Sequence, residues 1–375
     1  MNEADIITHF RKQFVQTDRV HLNNAAITPM SKAAQQAIQH YTDLMVQHDT
    51  HTLTTLIQHY EKSRQTTAQL IGAKAENIAF MQTTAAAISQ VALGFDWRKG
   101  DEIVLYEDEY PSNIYPWLVA AKKFDLKINW IPVQENYQLD TQQFIEAITP
   151  RTRVVAVSWV QYRTGAMVNL KQISQACKQG NAWLVVDGIQ GIGIIPFDLQ
   201  NMGVDALCGG CHKWLCAGIP GHGYLALAAD RSESLHPLLH GTGTYGELGD
   251  PSNKSLTPKK GARKFEPGSP NIMASMATAA SAQLLLDTGL ENIHQHALKL
   301  AQQLRTGLLQ QDVKILSSST SQSPIVTFIP PGKVSAFTSK LQQNNIYYTQ
   351  RNNTIRLAPH GFNTTDHIDK VLALL

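Results

Sequence analysis

The spacing of apolar residues along this chain changes period several times, and each change marks an element. Residues 3–17 carry apolar side chains at helical spacing. After an extended segment, RVHLNNAAITPMS, the stretch 31–48 does the same behind Ser31, whose hydroxyl suits a helix start. A further helical stretch runs from about Thr54 to Leu70. Ile78–Met81 then read as a short strand, Thr83 or Thr84 as an N-cap, and Ile88, Val91, Ala92 and Phe95 as the buried face of the helix that follows. A Thr-Thr helix start is either a plain cap or a way of presenting free N–H groups to a phosphate.

From Gly100 the pattern becomes regular. Short apolar runs at 102–106, 127–133, 153–160 and 183–187 alternate with helical segments at 111–124, 141–148 and 170–180. This predicts right-handed βαβ units and an α/β fold with a mainly parallel sheet flanked by helices. Ligands of such sheets bind beyond the strands' carboxyl ends, here 106–111, 160–165 and 187–190. Another strand, GYLALA, starts at Gly223. Residues 232–270 are rich in Gly, Pro, Ser and Thr, lack a period, and read as a mobile or interface loop. A long helical pattern over 272–311 leads to a strand at 323–329, a helix at 335–344, a strand at 354–359 and a last helix at 364–375. The division expected is an N-terminal segment, 1–20, packing on the small domain; a large domain, 21–270; and a linker helix with a smaller α+β domain, 271–375.

The chemistry concentrates in 183–224. The apolar run Trp183, Leu184, Val185, Val186 stops at Asp187, a carboxylate needing a partner, and Lys213 lies among Cys, Gly, Trp and Leu, where an unpaired ammonium is costly. An acid at a strand end and a lysine in apolar surroundings suit a ligand with a basic ring nitrogen and a carbonyl, and pyridoxal phosphate is the candidate. Cys208-Gly-Gly-Cys211-His212 also fits a haem-attachment pattern, and with Cys216 a zinc knuckle. Haem attachment would require export, and Lys213 and Trp214 interrupt the zinc spacing, so no metal is expected.

Composition narrows the class. At 375 residues two domains are the prior, and 43% hydrophobic residues suffice for their cores. The net charge of +2, without a stripe of Lys and Arg, argues against nucleic acid as a partner. The mixed-charge N-terminus lacks an apolar signal region, and no apolar run reaches the roughly 18 residues of a membrane span. The four cysteines fall within 177–216, unlike a disulfide framework. A cytoplasmic location away from membranes is expected.

VDGIQ followed by HKWL, taken in order with LNNAAITP, TTAAAIS, EDEYPSNIYPW, VSWVQYRTG, KFEPGSPNI and IRLAPHGFNT, resembles the class V aminotransferase family of fold-type I pyridoxal-phosphate enzymes. That group includes cysteine desulfurases, isopenicillin N epimerase-like proteins and carbon–sulfur lyases. The resemblance covers nearly the whole chain. It implies that Lys213 holds the cofactor aldehyde, that Asp187 faces the pyridine nitrogen, and that Gln190 bonds the ring's phenolic oxygen. It implies Thr84, Ala85 and His212 on the phosphate side, Tyr110 over the ring, and Arg356 and Asn24 at the substrate, with Arg356 clamping its carboxylate. Ser269 would reach the phosphate of a neighbouring subunit, making a homodimer with shared active sites.

The departures shape the expected activity. Where cysteine desulfurases place a histidine over the ring this chain has Tyr110, and where they place an asparagine it has Gln161 and Tyr162. They also need a cysteine on a loop before the final arginine strand, and residues 217–375 contain none. The expectation is an aminotransferase acting at the α-carbon of an amino acid, a small-molecule substrate, with carbon–sulfur lyase or epimerase as the alternative. A true cysteine desulfurase or a non-catalytic cofactor-binding protein ranks below these.

Overall fold

The computed structural model describes residues 3–135, 137–229, 231–246, 252, 254–318 and 320–375. Its centre is a seven-stranded sheet made, in chain order, of β1 (Ile78–Met81), β2 (Glu102–Tyr106), β3 (Lys127–Ile131), β4 (Thr152–Ser158), β5 (Trp183–Asp187), β6 (Ala206–Gly210) and β7 (Gly223–Leu227). The spatial order is β1-β7-β6-β5-β4-β2-β3. β7 is antiparallel to both neighbours, and the other pairs are parallel. The carboxyl ends of β1 to β6 therefore share one edge, where β7 begins.

Both faces of the sheet are buried, which is why its strands read as continuous apolar runs rather than alternating ones. Ile103, Leu105, Val154 and Val185 join Ile88, Val91, Trp117 and Ala120 of the helices Thr84–Gly94 and Tyr115–Phe124 in one apolar cluster. Val104, Val155, Leu184 and Val186 pack on the opposite side with Phe144, Ile173 and Cys177.

Ser31 caps the helix Lys32–Gln47 through the N–H of Ala34 at 3.1 Å, as its sequence context predicts. The sequence announces neither the short strands Lys314–Ile315, Ile346–Tyr347 and Thr349–Arg351 nor two larger features. β6 is a full strand that the sequence reading lacked, because Cys208, Gly209 and Gly210 carry little β-propensity and Gly in a strand marks close backbone approach. The pattern over 272–311 is two helices, Ile272–Thr288 and Leu290–Gln310, broken at Gly289, whose φ of 80° no helix accommodates.

A four-stranded antiparallel sheet forms from β8 (Lys314–Ile315), β9 (Val326–Ile329), β10 (Thr349–Arg351) and β11 (Thr354–Leu357), in the order β10-β11-β9-β8. Its core gathers Phe328, Ile355, Leu300 and Leu304, with Val20 and Leu22 joining from the chain's start. Phe10 and Phe14 join the main cluster, where the Phe14 and Phe362 ring centres are 4.4 Å apart. In the 232–270 loop, residues 247–251 and 253 lie outside the described residues. Its later part is anchored by Glu266, which receives two bonds from buried Arg64, at 2.6 and 2.9 Å, and one from the Phe80 N–H of β1, at 2.6 Å.

Candidate active site

Where the shared strand edge meets the small sheet, a cavity of about 460 Å³ opens. Asp187 ends β5 and pairs with Cys208 of β6, so the turn after β6 brings Lys213 back toward that carboxylate. Asp187 is 3% exposed and accepts the Ile189 N–H at 2.9 Å. Burial pushes its carboxyl up to about 6, against the pull of that hydrogen bond and of Lys213. Gln190 is held at both ends: Trp214 Nε1 donates to its Oε1 at 2.9 Å, and its Nε2 donates to the Ala25 carbonyl at 3.0 Å.

Lys213 lines the cavity with its Nζ 5.7 Å from the centre of the Tyr110 ring. Desolvation is the main cause that lowers its pKa to about 8; Asp187 opposes the shift and the charges of Arg356 and Arg351 add to it. Tyr110 stands edge-on to Tyr162, their ring centres 5.2 Å apart.

At the other end, Thr83 caps the helix Thr84–Gly94 by accepting the Ala86 N–H at 3.0 Å. A helix start leaves its first N–H groups without intrahelical acceptors, which favours an anion there. The buried hydroxyl of Thr84 has no hydrogen-bond partner. It lies against Gly210: a Cβ built on that glycine would sit 3.3 Å from Thr84 Oγ1 and 3.4 Å from His212 Nδ1. Thr84, Gly210 and His212 thus form one wall, and burial lowers the pKa of His212.

The small sheet closes the cavity. In the β10–β11 hairpin Thr349 pairs with Arg356, and Arg351 lies two residues beyond Thr349, on the same face. Arg356 is 3% exposed, donates to the Tyr162 carbonyl and, at 3.2 Å, to Thr349 Oγ1, and leaves Nε unpartnered. Burial and Arg351 lower its pKa to about 10.

Of the residues singled out from sequence, Lys213, Asp187, Tyr110, Thr84, Gln190, His212 and Arg356 line one cavity. Asn24, Ala85 and Ser269 are not among its lining residues. Asn24 is fully buried, with its Nδ2 donating to the Ala358 carbonyl at 2.7 Å. Ala85 follows Thr84 in the helix, and Ser269 is exposed on the loop before Ile272–Thr288. Arg351 and His222 line the cavity without having been picked out. Arg351 shares the face of Arg356 only through the hairpin register, in which it pairs with Thr354, two residues before Arg356. His222 is 3% exposed, tilted against Phe80, with burial lowering its pKa to about 4. The cysteines face apart: Cys208 packs on one side of the sheet, Cys211 and Cys216 on the other.

Residues 20–350 match the family described as "Aminotransferase class-V". The chain belongs to the class V aminotransferase family. Over 96% of both chains it is 26% identical to the Bacillus subtilis (strain 168) protein named "Uncharacterized aminotransferase YcbU". It is equally similar, at 26% over 97% of this chain and 96% of the other, to a "Probable cysteine desulfurase" of Pyrococcus abyssi. Among solved structures, the apo cysteine desulfurase of Thermococcus onnurineus NA1 superposes with a TM-score of 0.90 at 24% identity, covering 98% of this chain and 96% of that one. A complex of a cystine C–S lyase with cysteine persulfide matches at 0.86 and 25%, over 95% and 96% of the two chains.

This class V aminotransferase family member has the fold-type I architecture and is a pyridoxal-phosphate-dependent enzyme. The cavity fits that cofactor. An unpartnered hydroxyl and a helix start at one end suit a phosphate, and a buried carboxylate suits a ring nitrogen. Between them stands a lysine whose pKa is lowered enough to leave a usable fraction of free amine.

Proposed function

We propose that this enzyme is an aminotransferase acting at the α-carbon of an amino acid. The observation that carries the reading is Lys213 in the shared cavity, lowered to about 8 and flanked by Asp187, Tyr110 and Arg356. Bound there, pyridoxal phosphate supplies an aldehyde for the substrate amine and a ring that accepts the electron pair released at Cα. Asp187 keeps a proton on the ring nitrogen. The helix start at Thr84 and Ala85, with His212, holds the phosphate, and the second N–H of Gln190 Nε2 serves the phenolic oxygen. Arg356 offers its fork to the substrate carboxylate, a geometry that fixes which Cα bond faces Lys213. Lys213 then takes the Cα proton as a base, and where it sets that proton down decides the product. Asn24, tied to Ala358, steadies the substrate side from behind. Ser269, exposed on its own chain, completes the phosphate end of a second copy in a homodimer.

Against a desulfurase stands the state of the thiols. All four cysteines are fully buried, and burial pushes Cys177 and Cys211 up to about 12, with Cys208 and Cys216 also raised. A nucleophilic thiolate is favoured by exposure and nearby positive charge, the opposite surroundings. The second reading, a carbon–sulfur lyase, draws on the likeness to the cystine lyase. A cytoplasmic place of work is part of the proposal.

The test mixes the holoenzyme with L- and D-amino acids, with and without a 2-oxo acid acceptor. Aminotransfer predicts conversion of the cofactor to its amine form, a stoichiometric 2-oxo acid product, and loss of both in Lys213→Ala. Pyruvate and sulfide release without an acceptor would replace it with the lyase reading, and Cα deuterium exchange without an oxo acid would make it an epimerase.

A further inference from the structure

The small-sheet side of the cavity holds more positive charge than one substrate carboxylate answers. Among the described residues lining it, Asp187 is the one acid, set against Lys213, Arg351 and Arg356. Neither arginine faces a carboxylate among the described residues, and Nε of each is buried without a hydrogen-bond partner. Their neighbour shows the contrast: Arg163 is closed by Asp108 through two bonds, at 2.6 and 2.8 Å. Buried Arg305, also without an acid and also with an unpartnered Nε, lies outside the cavity and donates to the carbonyls of Ser323 and Ile325, both at 3.2 Å.

Arg351 is held by stacking rather than by ion pairing. Its guanidinium carbon lies 4.9 Å from the centre of the Tyr162 ring, a cation–π contact that leaves its N–H donors available. It reaches the cavity beside Thr349, on the face that carries Arg356. Both arginines act on the same amine, since each contributes to lowering Lys213. The phosphate has its own seat at the Thr84 end, so it does not neutralise them. Arg356 is buried and Arg351 half-buried, both without a carboxylate partner, and two such guanidinium groups in one wall suit two anionic groups on the molecule that enters.

We propose that Arg351 is a specificity-determining residue, which binds a second carboxylate on the substrate, so that the enzyme's amino acid is a dicarboxylic one. This rests on the reading of the site as acting at the α-carbon, with Arg356 on the α-carboxylate. The bidentate geometry of guanidinium and carboxylate makes the acid and its side-chain amide the discriminating pair.

The experiment follows the holoenzyme's cofactor absorbance with aspartate and glutamate against asparagine and glutamine, in wild type, Arg351→Gln and Arg351→Lys. The acid is expected to exceed its amide by about 10- to 100-fold in kcat/KM, the size of one charged hydrogen bond. Arg351→Gln is expected to pull that ratio toward one through KM for the acid, while Arg351→Lys keeps part of it. A merely structural arginine would lower kcat for acid and amide alike. Succinate, a dicarboxylate without an amine, should bind the wild-type holoenzyme in calorimetry at least about tenfold more tightly than the glutamine variant. Equal reactivity of acids and amides in the wild type, or an acid preference that survives Arg351→Gln, overturns the assignment of Arg351 and leaves the α-carbon reading standing. If no amino acid changes the absorbance, the α-carbon reading falls and the inference falls with it.

Discussion

The lowered pKa of Lys213 makes a prediction that can be read on the protein without substrate. An ordinary lysine titrates at 10.5, whereas Lys213 is brought to about 8. At pH 7 these values leave about one amine in three thousand neutral in the ordinary case and about one in ten here, a gain of roughly 300-fold in reactive amine. The cofactor would be stripped, the protein exposed to pyridoxal across a pH series, and the adduct at Lys213 trapped with borohydride and counted by mass spectrometry. Half-maximal labelling is expected near pH 8. The causes fix the sign of each variant: Asp187 raises the lysine, so Asp187→Asn should move the midpoint below that of the wild type, and Arg351 lowers it, so Arg351→Gln should move it up. A wild-type midpoint near 10.5, or an upward shift in Asp187→Asn, would refute the account of this site as a desolvated amine balanced between one acid and two arginines.

Three further outcomes follow from the same geometry. Arg356→Gln should raise KM for the amino acid by about 10- to 100-fold, seen in steady-state kinetics, since it removes a charged, forked donor; an unchanged KM would reassign the clamp. Glu266→Gln takes the shorter of its two ion pairs from Arg64, 1% exposed, and should lower unfolding free energy by about 3–5 kcal/mol in a denaturant titration; a change below about 1 kcal/mol would mean that Glu61 and the carbonyl of Ile78 suffice as its partners. A thiol reagent should label none of the four cysteines in the native protein at neutral pH and all four in denaturant, and prompt labelling of Cys211 or Cys216 would reopen the desulfurase reading.

Much of the large domain was legible because its order is local. Strands buried on both faces announce themselves as short apolar runs, and the helices between them have the length a parallel crossover needs. β6 escaped because its glycines are there for close packing: a Cβ on Gly209 would meet the Tyr224 hydroxyl at 2.4 Å, a contact made by the paired strand β7 and absent from the local pattern. Arg351 escaped for a related reason. As one basic residue in a polar turn it resembles any solvated arginine, and its charge matters because the hairpin register turns it beside Arg356 and into the cavity.

Legible in the amino-acid order alone were the α/β class, the alternation of strands and helices over 102–187, and the residue types able to hold a cofactor: an acid ending an apolar strand and a lysine among apolar neighbours. These depend on periodicity and on the cost of burying charge, both readable one segment at a time. Only the tertiary structure decided that β7 runs against its neighbours, that the four cysteines are sealed in cores on opposite faces, and that two arginines without acids close the cavity above Lys213. Burial and electrostatic balance are sums over neighbours brought from distant parts of the chain, and such sums exist only once the chain has folded.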